Sequence, residues 1–389
     1  MAEPQGRDFR APPVIHVGRG ALNQLPAALR ELGAERAAII TDRVMGNSEW
    51  APRLEALAAD ADVTTTVLAE LTGEPTTRDV DAALAAIRAA DADVVIGFGG
   101  GSALDTAKLA AVLHTNPGNG PDYEGYDRIP DPGVPVIAIP TTAGTGSEVT
   151  RGVAITDPDR DVKMLLMSPY LVPTAAIIDP EPTFTMPAGV TASTGLDALT
   201  HGIEAYVSRR RFPITDALAI DAIDRIGRYM SRAYHHPDDA EAREQMLVGS
   251  LHAGLAFNNA SVALVHGMSR PIGAYFHVPH GLSNAMLLPT VMDFSLGGDI
   301  PRYAHIARVL GATETDDRQA AEAGVAIVSD LAADLEVPTL RAWGVDESRF
   351  RDVTPAMARD ALASGSPANN PRLATQPEVE ELYEAVINL

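Results

Sequence analysis

The sequence contains no cysteine, which excludes disulfides, thiolate metal sites and cysteine nucleophiles and leaves any bound metal to oxygen and imidazole ligands. Lysine is almost as scarce: it occurs only at Lys108 and Lys163, and arginine carries the remaining positive charge. With a formal charge of −22 over 389 residues the chain would repel other polyanions, so neither nucleic acid nor an anionic membrane is expected as a partner. No run of eighteen apolar residues occurs, and the opening MAEPQGRDFRAPP lacks the basic-then-apolar order of a leader. The expectation is a soluble, cytoplasmic protein.

Hydrophobic residues make up 46% of a chain longer than one core usually serves, so two domains are expected. Short apolar runs at Ala37–Thr41, Val63–Leu68, Val94–Gly97, Val134–Ile139 and Ala175–Ile178 read as strands. Segments of helical period, Leu22–Leu32, Val80–Ala89 and Ala103–Leu113, lie between them, the last preceded by Ser102 as a possible cap. This is the rhythm of an α/β unit with a mostly parallel sheet. After Pro180, Pro182 and Pro187 helical periodicity dominates, with Ser364–Pro371 as its most loop-like stretch. Residues 1–187 are therefore read as an α/β nucleotide-binding domain and residues 188–389 as an all-α domain, with ligands expected in a cleft between them.

Gly97-Phe98-Gly99-Gly100-Gly101-Ser102 joins a strand to a helix, where glycines let backbone N–H groups approach a phosphate. Serine stands where the ordinary dinucleotide fingerprint has its last glycine, which weakens that reading. Asp42 ends the strand at Ala37–Thr41. It suits the two hydroxyls of an adenosine ribose, and equally a helix cap. The turn Pro140–Glu148 is rich in hydroxyls and flexible backbone, as sugar and phosphate contacts require, although a plain turn is the simpler alternative.

Asp197 and His201 are four apart in a helical pattern, so they share one face and could chelate an ion, or merely pair. His266 and His280 sit beside small or apolar neighbours, where a histidine is either a satisfied core residue or a ligand. One carboxylate and three imidazoles suit Zn2+ or Fe2+ better than Mg2+ or Ca2+.

In GGGSALDTAK (Gly99–Lys108), IPTTAGTGSEVT (Ile139–Thr150), TGLDALTHGIEAY (Thr194–Tyr206) and LVHGMSRPIGAYFHVPHGLSNAMLLP (Leu264–Pro289), the chain resembles the iron-containing, metal-dependent alcohol dehydrogenases across essentially its whole length. That resemblance implies a dehydroquinate synthase-like fold, NAD, and one divalent metal, Fe2+ before Zn2+. It also implies a homodimer that moves a hydride between a small alcohol, diol or aldehyde and the nicotinamide. By the same resemblance, Asp197, His201, His266 and His280 hold the metal. Gly100, Gly101 and Ser102 fall to the pyrophosphate, and Asp42 to the ribose. Asp105, Thr141, Thr142 and Thr145 belong to the cofactor site, with Lys163 near the nicotinamide ribose. Relatives of the fold with other chemistry, sugar-phosphate dehydrogenases and a dehydroquinate synthase, supply the competing enzyme reading, and a catalytically silent nucleotide- or metal-binding regulator the remote one.

One position departs from the pattern. Where relatives similar to the propanediol oxidoreductases carry a histidine one turn after the third ligand, this chain has Arg270. His277 is a candidate proton relay in its place, or a packing residue. Arg270 and Arg151 together would favour a substrate with an anionic group, unless they serve ion pairs within the protein.

Overall fold

The computed structural model describes residues 7–160 and 162–389. Residues 1–6, part of the opening segment read for a leader, lie outside the described residues. The described chain divides into two compact units, Arg10–Met186 and Pro187–Leu389, the latter grouped with residues 7–9.

The strands of the first unit are β1 (Val14–Val17), β2 (Arg36–Asp42), β3 (Thr64–Leu71), β4 (Val94–Gly99), β5 (Gly125–Tyr126), β6 (Val136–Pro140), β7 (Gly152–Asp157), β8 (Val162–Met167) and β9 (Ala175–Ile178). Its helices are α1 (Leu25–Leu32), α2 (Arg43–Gly46), α3 (Trp50–Ala59), α4 (Thr77–Ala89) and α5 (Gly101–Thr115). Among the described residues, a six-stranded sheet runs in the order β1-β9-β6-β4-β2-β3, with every pairing parallel.

Parallel sheets are covered on both faces, so their inner strands are apolar throughout, and every residue of β4, β6 and β9 is buried. Side chains alternate between the faces. Ala37, Ile39, Val94, Ile96 and Phe98 pack with α1 and α3, whereas Ala38, Ile40 and Val95 pack with α4 and α5. A small second sheet, β5-β8-β7, pairs β7 and β8 antiparallel; its Val153, Ile155, Met164 and Leu166 join the α5 side of the core.

Strand order reverses between β2 and β4. From β2 the chain crosses outward to β3, and from β4 it proceeds the other way to β6 and β9. In open α/β sheets ligands bind at the carboxyl ends of the strands flanking such a point. Here those ends are Asp42 and the glycine turn at Gly99–Gly101, next to Thr141 and Thr142 after β6.

One local expectation is corrected. Ser102 does not cap α5: the helix already begins at Gly101, Gly100 stands at the N-cap, and Ser102 Oγ donates to the Gly73 carbonyl at 2.8 Å. Glycines at 99–101 let the chain enter the helix directly from the strand, so no side-chain cap is used.

The described part of the second unit contains helices and no strands. They are α6 (Ala188–Val207), α7 (Pro213–His235), α8 (Ala240–Ala260), α9 (Leu264–Phe276), α10 (His280–Ser295), α11 (Ile300–Val309), α12 (Asp317–Asp334), α13 (Leu340–Trp343), α14 (Glu347–Ala363) and α15 (Gln376–Ile387). Buried α6 packs against α7, α8 and α10, while α9 packs against α10 and α14. No helix among the described residues is long and apolar enough to cross a membrane.

Candidate metal centre and nucleotide turn

Helix α6 places Asp197 and His201 one turn apart on one face, and α9 brings His266 to them. His266 Nε2 lies 3.5 Å and His201 Nε2 3.9 Å from Asp197 Oδ1. One ligand atom from each of these three residues falls within 4.8 Å of the others. The His201 ring stacks between Phe257 and His266, with centroids 4.1 and 4.5 Å away.

His280 opens α10 and lies edge-on to His266, ring centroids 5.3 Å apart. Gly281 permits this approach: a Cβ there would stand 2.6 Å from the Ser193 carbonyl oxygen and 3.3 Å from Asp197 Cβ, so only glycine lets α10 start against α6. A glycine is needed on α9 as well, where a Cβ on Gly267 would meet Pro367 at 2.5 Å. The loop-like Ser364–Pro371 therefore lies against the helix that carries His266.

Asp197, His201 and His266 are no more than 4% exposed. Burial alone would raise the Asp197 carboxyl, but His201, His266 and His280 outweigh it and hold the group well below the usual carboxylate range. Burial likewise opposes charge on His266, and the carboxylates of Glu204 and Asp197 nevertheless lift it to about 9. One carboxylate and two imidazoles meeting in one buried region, with the half-buried His280 imidazole beside them, suit a cation that would displace the His266 proton. The donor set of three nitrogens and one oxygen matches borderline divalent transition metals.

In the first unit, Asp42 Oδ1 accepts from Val44 N at 2.8 Å and Met45 N at 2.9 Å, capping α2. Its Oδ2 lies 3.2 Å from where a Cβ on Gly99 would stand, and Gly99 itself has φ +150°. The carboxylate thus serves as a cap through one oxygen and flanks the glycine turn with the other. The turn and the threonine loop interlock, since a Cβ on Gly101 would approach Thr145 Cγ2 to 2.8 Å and one on Gly100 would approach Thr142 Cγ2 to 3.3 Å. Thr141 continues the pairing, its N–H donating to Gly99 O at 3.0 Å. The first N–H groups of α5 have no partner within the helix, which fits an anion there.

Two family models match the chain, "Iron-containing alcohol dehydrogenase" over residues 12–180 and "Fe-containing alcohol dehydrogenase family, C-terminal" over residues 191–387. The chain belongs to the iron-containing alcohol dehydrogenase family. It is 35% identical to the NAD-dependent methanol dehydrogenase of Bacillus methanolicus over 380 residues, covering 97% of this chain and 99% of the relative. A crystal structure of 1,3-propanediol oxidoreductase superposes with a TM-score of 0.95 at 33% identity, covering 98% of this chain and 100% of that one. The sulfoacetaldehyde reductase of Bifidobacterium kashiwanohense, solved in complex with NAD+, gives 0.89 at 28% identity, covering 98% and 99%. The protein is accordingly an oxidoreductase of the alcohol dehydrogenase type.

In this alcohol dehydrogenase several residues named from the sequence have engagements of their own. Asp105 accepts from Ser147 Oγ at 2.5 Å and from Ala154 N at 2.8 Å, so both its oxygens fasten the threonine loop and β7 to α5. Lys163 on β8 pairs with Glu74, and its charge also reaches Asp105. His277 is exposed at the end of α9 with φ +56°, and Arg270 stands one turn after His266 on that helix.

Two residues of the centre went unread in the sequence. Glu204 Oε2 accepts from His266 Nδ1 at 2.6 Å, and Asn284 Nδ2 lies 2.6 Å from Asp197 Oδ1. The available signals were spacing on the ligand helices: Glu204 follows Asp197 and His201 by seven and three, and Asn284 follows His280 by four.

Proposed function

We propose that the protein is a metal-dependent alcohol dehydrogenase that transfers a hydride between a small alcohol, diol or aldehyde and NAD(H), with residues 1–187 binding the dinucleotide and residues 188–389 the metal. The observation that carries this reading is the buried convergence of Asp197, His201 and His266 from two helices, with the half-buried His280 at the start of a third beside His266. These four residues would hold a divalent ion, Fe2+ first and Zn2+ next. An ion there supplies Lewis acidity toward a hydroxyl or carbonyl oxygen, and NAD supplies the hydride acceptor.

The remaining work falls to the chain. The N-terminus of α5, with Gly100, Gly101 and Ser102, would receive the pyrophosphate through backbone N–H groups, because the Ser102 hydroxyl proton is directed to Gly73. Asp42 Oδ2 would accept from the ribose hydroxyls. Thr141, Thr142 and Thr145 line the same end of the sheet, held there by Asp105, while Lys163 is assigned to the nicotinamide ribose. Orientation of the carbinol carbon against the nicotinamide, with water excluded, supplies much of the rate. His277, exposed three residues before a ligand, is assigned the exchange of the hydroxyl proton with solvent.

The setting is the cytoplasm and the assembly a homodimer. Support for the latter is that β1 forms one margin of the six-stranded sheet, where a second copy could extend it. Reconstitution with Fe2+, Zn2+, Mn2+ or Ni2+, followed by assay of short alcohols, diols and ω-hydroxy acids with NAD, tests the reading. Net accumulation of NADH is expected. Its absence from every metal and substrate combination would remove the proposal, and transient NADH alone would favour the internal redox cycle of a dehydroquinate synthase.

A further inference from the structure

Helix α9 carries a metal-site histidine in its first turn, yet its own N-cap residue is Ala263, which has no side-chain acceptor. The acceptor comes from another helix. Glu204 of α6, 2% exposed, accepts from Val265 N through Oε1 at 2.6 Å and from Ala263 N through Oε2 at 2.8 Å. The same Oε2 lies 2.6 Å from His266 Nδ1. A carboxylate buried in this way is costly unless its lone pairs are used, and here three N–H groups use them at the positive end of a helix.

A carboxylate acceptor keeps a proton on Nδ1, so when the ring is neutral the lone pair is on Nε2. His266 Nε2 is the nitrogen that faces Asp197 Oδ1. We propose that Glu204 is the positioning residue of the metal centre: one carboxylate caps α9 from α6 and holds His266 in the tautomer whose Nε2 can bind the ion. The inference rests on the metal-site reading above. It adds that α6 supplies two ligands and also sets the angle and protonation of the third. The arrangement follows the general pattern in which a ligating imidazole gives its other N–H to a carboxylate.

Glutamine is the informative substitution because it has one acceptor oxygen. Facing Ala263 and His266 with that oxygen leaves its NH2 against Val265 N–H, and the opposite orientation offers a donor to Nδ1 and drives the proton to Nε2. The experiment uses full-length protein: Zn2+ affinity is measured on metal-stripped protein by competition with a chromophoric chelator, and the proton-bearing nitrogen of His266 by long-range 15N NMR of the histidine-labelled, Zn2+-loaded chain.

Expected are an Nδ1–H tautomer in the wild type and a Zn2+ affinity about 10- to 100-fold weaker in Glu204→Gln, with the helical circular dichroism signal retained. In the double variant Glu204→Gln/Ala263→Ser, a local cap should recover thermal stability but not Zn2+ affinity. Unchanged affinity in Glu204→Gln, or its recovery in the double variant, overturns the proposal. So does an Nε2–H tautomer in the wild type, a measurement that stands even if the variants fail to fold. A wild type that binds no Zn2+ overturns the metal-site reading along with this one, whereas tight wild-type binding with no loss in Glu204→Gln overturns this one alone.

Discussion

The side-chain amide of Asn284 lies 2.6 Å from Asp197 Oδ1, and its Nδ2 is also 3.1 Å from His266 Nε2 and 3.3 Å from His280 Nε2. Asn284 Oδ1 is buried without a hydrogen-bond partner among the described residues. One carboxamide therefore touches three of the four proposed ligands. Asn284→Ala should loosen their mutual placement and weaken Zn2+ binding by roughly 10- to 100-fold, the range typical of residues that orient ligands. Asn284→Asp adds a carboxylate to the cluster and should tighten binding of Mn2+ more than of Zn2+, because oxygen donors suit the harder ion. Chelator competition with both metals measures this; equal affinity in all three proteins would show that the amide is a bystander.

Metal removal should destabilise the helical unit, because the proposed ligands tie α6, α9 and α10 together. An ion present at a hundred times its Kd adds about 2.7 kcal/mol of stability, which for a unit of about 200 residues is roughly 5–10 °C in Tm. Calorimetry before and after chelation, with metal added back, checks the size and reversibility of the shift. His266→Ala should lose most of it. A melting curve indifferent to chelator in the wild type would mean that no ion bridges these helices.

Much of this architecture was legible because burial leaves a strong mark on sequence. The runs at Val94–Gly97 and Ala175–Ile178 are apolar without alternation, as strands covered on both faces must be, and both are strands. Strands β7 and β8 alternate buried with half-buried positions around a charged turn, and that pattern lacks the continuous apolar run by which the inner strands were read. Strand β1 is four residues long and only partly buried, so it left little signal.

The centre divides in the same way. Histidines beside glycine stood out in Val265-His266-Gly267 and Pro279-His280-Gly281 because a polar side chain among small, apolar neighbours needs a partner. Glu204 did not stand out, since glutamate is ordinary on a helix and only the approach of the α9 N-terminus gives its carboxylate a purpose. Asp42 was ambiguous between cap and ribose ligand, and the structure shows why: one oxygen caps α2 while the other flanks Gly99.

That divided role makes Asp42 separable by mutation. Asp42→Asn keeps an oxygen for Val44 and Met45 but removes the charge that would repel a 2′-phosphate. Asp42→Gly removes both, at a cost of only a few tenths of a kcal/mol for the cap. The ratio of kcat/KM for NADP to that for NAD should rise in both variants, and more in Asp42→Gly. A ratio fixed in both would take the ribose role away from Asp42.

Arg270 stands one turn after His266 on α9. A guanidinium hydrogen-bonded to a substrate carboxylate or sulfonate contributes about 1.5–3 kcal/mol, or roughly 10- to 100-fold in kcat/KM. Arg270→Ala should therefore lower turnover of an acidic ω-hydroxy substrate by that factor while a neutral alcohol of equal length changes little. Equal losses on both substrates would leave Arg270 a structural residue.

The pH dependence of stability should carry the imprint of two buried groups beside the threonine loop. Burial raises Glu148 from 4.5 to about 7, and burial lowers Lys108 from 10.5 to about 8 although Asp105 and Glu148 oppose that shift. Lys108 Nζ is held by Ser147 O at 2.9 Å and Gly152 O at 2.7 Å, so it does not escape to solvent when charged. The folded state binds the Glu148 proton more tightly than the unfolded chain does, so its contribution is complete below pH 4.5 and is lost as pH rises through about 7. The folded state binds the Lys108 proton less tightly, so that contribution is complete above pH 10.5 and is lost as pH falls through about 8. Together they make stability from this pair lowest between about pH 7 and 8. Glu148→Gln should abolish the acidic limb: relative to wild type, its Tm should climb between pH 4.5 and 7 and then level off. A Tm difference constant across that range would place the Glu148 charge in contact with solvent and end this account of the loop.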